Sequence, residues 1–169
     1  MLIRQEQPAD REAVCHLVAE AFASAEHADG TEQDLVAALR DSQAFLPELS
    51  LVAELNGELA GHILFTKAAV GGTEVLALAP LSVKPKYQRQ GVGTALIARG
   101  HEIAAELGYP YSLVLGSSTY YPRAGYVPAA RFGIEAPAGF PPEHYMAARL
   151  LDSARPVSGP VRYAKEFGL

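Results

Sequence analysis

Leu81-Ser-Val-Lys-Pro-Lys-Tyr-Gln-Arg-Gln-Gly-Val-Gly-Thr-Ala-Leu-Ile-Ala-Arg-Gly100 is the stretch whose reading decides the fold. It divides into a strand end at residues 81–83, a turn, and a helix that opens near Gly91. Pro85 stops the strand because it has no N–H to give to a ladder, and it pushes Lys84 towards an extended conformation. From Val92 onward, Val92, Ala95, Leu96, Ile103, Ala104 and Leu107 recur at helical spacing, so one stripe faces a sheet. Gly108, followed by Tyr109 and Pro110, ends the helix.

The helix start carries the chemistry. A first helical turn has unpaired N–H groups and a partial positive charge, so it attracts anions. Gly91 and Gly93 have no side chain, which lets a phosphate approach the backbone closely. A bare G-x-G also occurs in strand-to-helix turns without any ligand. Two other phosphate motifs do not fit. The dinucleotide fingerprint needs a third glycine where Leu96 stands, and a Walker-type loop needs a Lys after the glycines.

The longer pattern Gln88-Arg89-Gln90-Gly91-Val92-Gly93, directly after Leu81-Ser82-Val83, resembles the Q/R-x-x-G-x-G/A loop of the GCN5-related N-acetyltransferases. The resemblance implies that this loop and Thr94 bind the pyrophosphate of acetyl-coenzyme A. It also implies that Leu81, Ser82 and Val83 pair with the pantetheine amides. The implied fold is α/β (α+β): a mixed, mostly antiparallel sheet, splayed at the cofactor site, with helices on both faces.

Along the chain, residues 1–5 form a strand candidate, and Pro8, Asp10 and Glu12 suit a helix start. Ala9, Ala13, Val14, Leu17, Val18, Ala21 and Phe22 form a helical stripe. Thr31-Glu32-Gln33-Asp34 reads as a capping arrangement that opens a second helix with Leu35, Ala38 and Leu39 inward. Residues 51–55 form a strand, Asn56-Gly57 a type I′ hairpin turn, and residues 58–70 the return strand. On that return strand, Leu59, Gly61, Ile63 and Phe65 fall on one face, and Ala60, His62, Leu64 and Thr66 on the other. Gly71-Gly72 turns into a third strand, residues 73–83, where Pro80 marks a bulge or an edge. Residues 111–116 form a strand parallel to it, because a helix crosses between them. Tyr121-Pro122-Arg123-Ala124-Gly125-Tyr126 resembles the Y-x-x-x-G-[FY] segment of the same family, with Pro122 keeping that helix short. Residues 127–134 and 144–151 read as closing strands, and residues 157–167 as a further extended piece. With no repeat or linker, the expectation is one N-acetyltransferase domain over residues 1–169, most like a bacterial subgroup of predicted N-acetyltransferases.

Composition bounds the function. Of 169 residues, 49% are apolar and 20% charged, and the net charge is −5, which argues against a nucleic-acid binder. The single cysteine, Cys15, excludes an intramolecular disulfide and a Cys-rich metal site, and no metal is expected. No apolar run of membrane-spanning length and no secretory h-region are present, so a cytoplasmic location and no membrane partner are expected. The family resemblance implies a homodimer through the C-terminal strands, with Tyr145, Met146 and Leu150 as its apolar edge.

Moving an acetyl group from a thioester to an amine requires freeing the amine of its proton and protonating the leaving thiolate. An alkylamine of pKa about 10.4 is mostly protonated at neutral pH, so a base helps. The thiolate, from a thiol of pKa about 8.5, is served by a phenol. The resemblance makes Tyr121 the general acid, against the common fate of a buried core tyrosine. Many family members carry a Glu on the third hairpin strand, but Leu76-Ala77-Leu78-Ala79-Pro80 has no carboxylate here. His62 is the candidate base, against the structural role of most strand histidines. His27, Asp29 and Glu32 fall where the family builds its acceptor site. The expected activity is acetyl transfer to a primary amine of a small molecule or peptide. The alternative is a non-catalytic acyl-coenzyme A sensor.

Overall fold

Strand β3 (Glu58–Val70) is the spine on which the rest assembles. The computed structural model describes residues 1–25 and 28–169. β3 pairs antiparallel with β2 (Phe45–Leu55) on one side and with β4 (Thr73–Val83) on the other. β1 (Leu2–Gln5) borders β2, and β5 (Tyr111–Leu115) lies parallel to β4 after the crossover helix α3 (Val92–Glu106). The sheet runs β1-β2-β3-β4-β5-β8-β6, where β6 is Val127–Pro128 and β8 is Tyr145–Arg149. β9 (Gly159–Arg162) joins the end of β3 and pairs in parallel with β7 (Ile134–Glu135).

Helices cover both faces. α1 (Arg11–Phe22) and α2 (Glu32–Arg40) bury Val14, Leu17, Val18, Val36 and Leu39 against Val52 and Leu64. α3 buries Leu96, Ile97 and Ala104 on the opposite face, against Leu51, Ile63, Phe65 and Leu76. Burial of each such side chain contributes roughly 1.5–3 kcal/mol, so the two cores hold the sheet from both sides.

Several boundaries differ from the sequence expectation. β2 begins at Phe45 rather than Leu51, because its register with β3 slips between Phe45 and Ser50 and Pro47 lies in that slip. A missing N–H costs no ladder bond there. A second slip, between Ala53 and Glu54, turns Leu59 towards α1 and α2 and Ala60 towards α3, the reverse of strict alternation. In α2 Leu35 and Leu39 pack inward as expected, joined by the buried Val36, and Ala38 is exposed. Thr31 makes no side-chain cap; its hydroxyl donates instead to Asp29 Oδ1 at 2.6 Å. Residues 127–134 split into the two-residue β6, a 3-10 turn at Ala129–Phe132 and the start of β7 at Ile134.

The expected dimer edge is also inside the protein. β8 is flanked by β5 and β6, and Tyr145 and Met146 are both buried. Among the described residues no helix is long and apolar enough to cross a membrane. Nor does any group of three or more His, Cys, Asp or Glu there have the arrangement of a metal site. Cys15 is exposed on α1.

Candidate active site

The sheet opens between β4 and β5. The two strands pair only at Leu76 with Ser112 and Ala77 with Leu113. Beyond that point β4 carries an extra residue: Ile63 faces Leu81 and Phe65 faces Leu78, so two steps on β3 span three on β4. The bulge falls at Ala79 and Pro80, where proline has no N–H to lose. The backbone edge of β4 therefore faces a cleft instead of a strand.

That cleft has a volume of about 380 Å³. Residues 78–81 of β4 form one wall, and Val114, Leu115 and Tyr121 another. Phe22, Asp29, Thr31, Glu32 and Leu35, around the start of α2, form the third.

Beyond β4 the chain enters the glycine turn. Gly91 has φ 84° and Arg89 φ 64°, so the chain reverses tightly before α3. The N–H groups of Tyr87, Gln88 and Ala95 donate to backbone carbonyls, but those of residues 89–94 have no backbone acceptor among the described residues. Gln88 Nε2 donates to the Val83 carbonyl at 3.2 Å, and Gln90 Nε2 to that of Lys86 at 3.0 Å. These side chains brace the turn, and the free amides are left to face an anion. A β-carbon on Gly91 would meet nothing, so the approach is open. Val92 points inward and anchors the helix start against Gly61 of β3. The chemistry of the loop thus fits a pyrophosphate.

Two adjacent tyrosines link loop and cleft. Tyr121 opens a 3-10 turn (Tyr121–Ala124) with Pro122 in its first positions, the short helix the sequence implied. Its ring lies on Gly116, where a β-carbon would collide with it. Burial holds its phenol above the usual value, with a smaller push from Tyr120, so it stays protonated. Tyr120 packs edge-on against it, 5.1 Å between centroids, and sets its hydroxyl on Gly93.

On the third wall, Asp29 Oδ1 accepts from the Thr31 N–H at 2.9 Å and from the Thr31 hydroxyl. The Asp29 N–H in turn donates to Glu32 Oε1 at 3.1 Å. These bonds draw the Asp29 carboxyl below its ordinary value, the Thr31 hydroxyl being the largest cause. Glu32 Oε2 is buried and has no hydrogen-bond partner among the described residues. His27 lies outside the described residues.

His62 does not reach the cleft. It is fully buried beneath α1 and α2, its Nε2 3.1 Å from Ser50 Oγ, which also bonds Glu6 Oε1 at 3.0 Å. Glu6 is paired with Arg40 at 2.6 Å. Desolvation pulls His62 down to about 4, against the pull of Glu6, so it is neutral and its 3.9 Å approach to Glu6 is not a charge pair. Ser82, opposite His62 in the ladder, also turns its side chain inward, which leaves only its backbone for the cleft. The structure therefore gathers Tyr121, Asp29, Glu32 and Leu81 at one cleft and leaves His62 out. Sequence reasoning missed Phe22, Leu35, Val114 and Leu115 in the lining, which read only as core positions. It also missed Gly116, whose lack of a side chain has no local signature.

Residues 12–126 match the family model described as Acetyltransferase (GNAT) family. The uncharacterized N-acetyltransferase YjhQ of Escherichia coli K12 is 41% identical over 141 residues, covering 79% of this chain and 78% of the relative. YhbS of the same organism, also described as an uncharacterized N-acetyltransferase, is 32% identical over 171 residues, covering 99% of this chain and 98% of its own. The crystal structure of Escherichia coli YhbS in complex with CoA superposes with a TM-score of 0.89 at 30% identity, covering 99% of this chain and 92% of that one. A GNAT family acetyltransferase from Brucella melitensis in complex with acetyl-CoA gives 0.82 at 30% identity, with 98% and 97% covered. The splayed sheet, the open glycine turn and these matches converge: the chain belongs to the GNAT family of acetyltransferases.

Proposed function

We propose that residues 1–169 act as one N-acetyltransferase domain that carries an acetyl group from acetyl-coenzyme A to a primary amine of a small molecule or peptide, in the cytoplasm. The observation that carries the reading is the parting of β4 from β5 beyond Ala77, with Tyr121 in the wall of the opening and the glycine turn following β4 in the chain. The Escherichia coli and Brucella relatives, solved with CoA and acetyl-CoA, support it.

Bound there, acetyl-coenzyme A supplies the activated acetyl thioester. The amides of residues 89–94 hold its pyrophosphate, and the open β4 edge at Leu81, Ser82 and Val83 receives its pantetheine arm. The acceptor ammonium is held by Asp29 and Glu32, two carboxylates beside apolar Phe22 and Leu35. Glu32 Oε2, buried without a partner, takes the ammonium proton and leaves the amine lone pair free. Tyr121 then serves the leaving sulfur. A phenol held above its ordinary value is a weaker acid than a thiol, so it stabilises the thiolate by donating a hydrogen bond. The second amine proton, shed after attack, settles on the sulfur.

A non-catalytic acyl-coenzyme A sensor would explain why residues 76–80 of β4 carry no carboxylate, but it has no use for a protonated phenol at the cleft. A panel of primary amines, from aralkylamines to peptide N-termini, incubated with acetyl-coenzyme A tests the point. Amine-dependent release of free thiol is expected, and cofactor binding with no release across the panel favours the sensor.

A further inference from the structure

We infer that the Tyr120 hydroxyl is a positioning contact for the pyrophosphate of coenzyme A, so that the site selects pyrophosphate-bearing thioesters over those carried on pantetheine alone. The inference rests on the proposed cofactor seat, and it assigns a residue that neither the glycine pattern nor the Y-x-x-x-G segment names.

Tyr120 is half-buried and packs edge-on against Tyr121. A phenylalanine would make the same ring contact, so the hydroxyl needs its own account. It sits where a β-carbon of Gly93 would be, with the Leu81 side chain 3.5 Å from that point. It makes no hydrogen bond among the described residues. Among the described residues the protein thus leaves this O–H free to donate. A hydroxyl with no protein partner is free to donate to an arriving anion, and a hydrogen bond to a charged acceptor is worth more than one to a neutral group.

Geometry supplies the acceptor. Helical β-carbons tilt towards the N-terminus, so the hydroxyl lies beside the opening turn of α3. There the N–H groups of residues 92–94 have no backbone acceptor among the described residues. An anion drawn to those amides comes within reach of a phenolic donor that adds a hydrogen bond without adding charge. Leu81, on the wall that receives the pantetheine arm, marks the same point, so Tyr120 stands at the junction of pantetheine and pyrophosphate. Gly93 is required there because any side chain would evict the hydroxyl.

Two ligands separate this role from packing. Coenzyme A carries the pyrophosphate, whereas S-acetylpantetheine keeps the arm and thioester but carries no phosphate. Dissociation constants for wild type and Tyr120→Phe are measured by calorimetry for coenzyme A and by NMR titration to high concentration for S-acetylpantetheine. Matched thermal melts confirm that the variant is folded. The expected result is coenzyme A binding weakened about tenfold or more, as for loss of a hydrogen bond to a charged group, with S-acetylpantetheine affinity unchanged. Unchanged coenzyme A affinity in Tyr120→Phe overturns the inference. Equal loss for both ligands also overturns it, because it puts the hydroxyl on the pantetheine arm. Failure of the wild type itself to bind coenzyme A refutes the underlying cofactor reading instead, which keeps the two failures apart.

Discussion

Gly116 and Tyr121 work as a pair: the ring occupies the volume a side chain at 116 would fill. Gly116→Ala pushes the phenol off its seat without touching the cofactor loop. Misplacing a catalytic group by about 1 Å can cost on the order of a hundredfold in rate. The expected outcome is turnover reduced by ten- to a hundredfold with coenzyme A affinity little changed, measured by thiol release and calorimetry. A second residue-scale consequence concerns acid. Burial holds both His62 and His101 at about 4, well below an unfolded histidine near 6.5. Between those values the unfolded chain binds protons that the folded one refuses, so stability present above about pH 6.5 is lost as pH falls towards 4. Urea unfolding at pH 7 and pH 5 should show the midpoint falling at the lower pH. Replacing His62 with Gln should flatten part of that dependence. Tyr121 was legible at this scale through its motif. The burial of His62 was not, because strand alternation gives its face but not what covers it.

The elements were legible wherever local chemistry and tertiary pairing agree. The stripe of α1, the Asn56-Gly57 hairpin and the strand–turn–helix at residues 81–106 all fall where periodicity and glycine put them. The misses share one cause. The start of β2, the exchange of Leu59 and Ala60, and the splitting of residues 127–134 are all set by register slips or two-residue pairings with distant strands. Composition does not record such partners. Thr31 is a further case: Asp29 takes its hydroxyl, so the capping pattern is present in sequence and unused in structure. At the element scale the glycine turn makes the prediction. Gly91→Asp puts a carboxylate where the amides of α3 await an anion, at a position with φ 84°. Charge repulsion of a few kcal/mol at about 4 Å should weaken coenzyme A binding at least tenfold in calorimetry, while Arg99→Ala, at an exposed position about two turns further along α3, should leave it unchanged.

Across the whole molecule, function comes from one opening in the sheet and from what three distant segments bring to it. Pro80 announced the bulge in sequence, but the acidic wall did not stand out, because Asp29 and Glu32 sit in a polar stretch of the kind that is usually only solvated. Their place at the cleft appears only when the start of α2 faces β4 and β5 across it. Glu32→Gln removes the unpaired carboxylate charge at constant shape. With an acceptor in hand, it should lower kcat/KM by roughly the 10²–10⁴ of general-base catalysis, and the loss should shrink as pH rises and the free amine becomes abundant. The central claim is that Tyr121 serves the leaving sulfur, and Tyr121→Phe tests it most directly by deleting one hydroxyl and keeping the ring. Thiol release at saturating acetyl-coenzyme A and amine should fall by roughly 10²–10⁴ with cofactor affinity nearly unchanged, whereas a Tyr121→Phe enzyme that turns over at the wild-type rate would contradict the account.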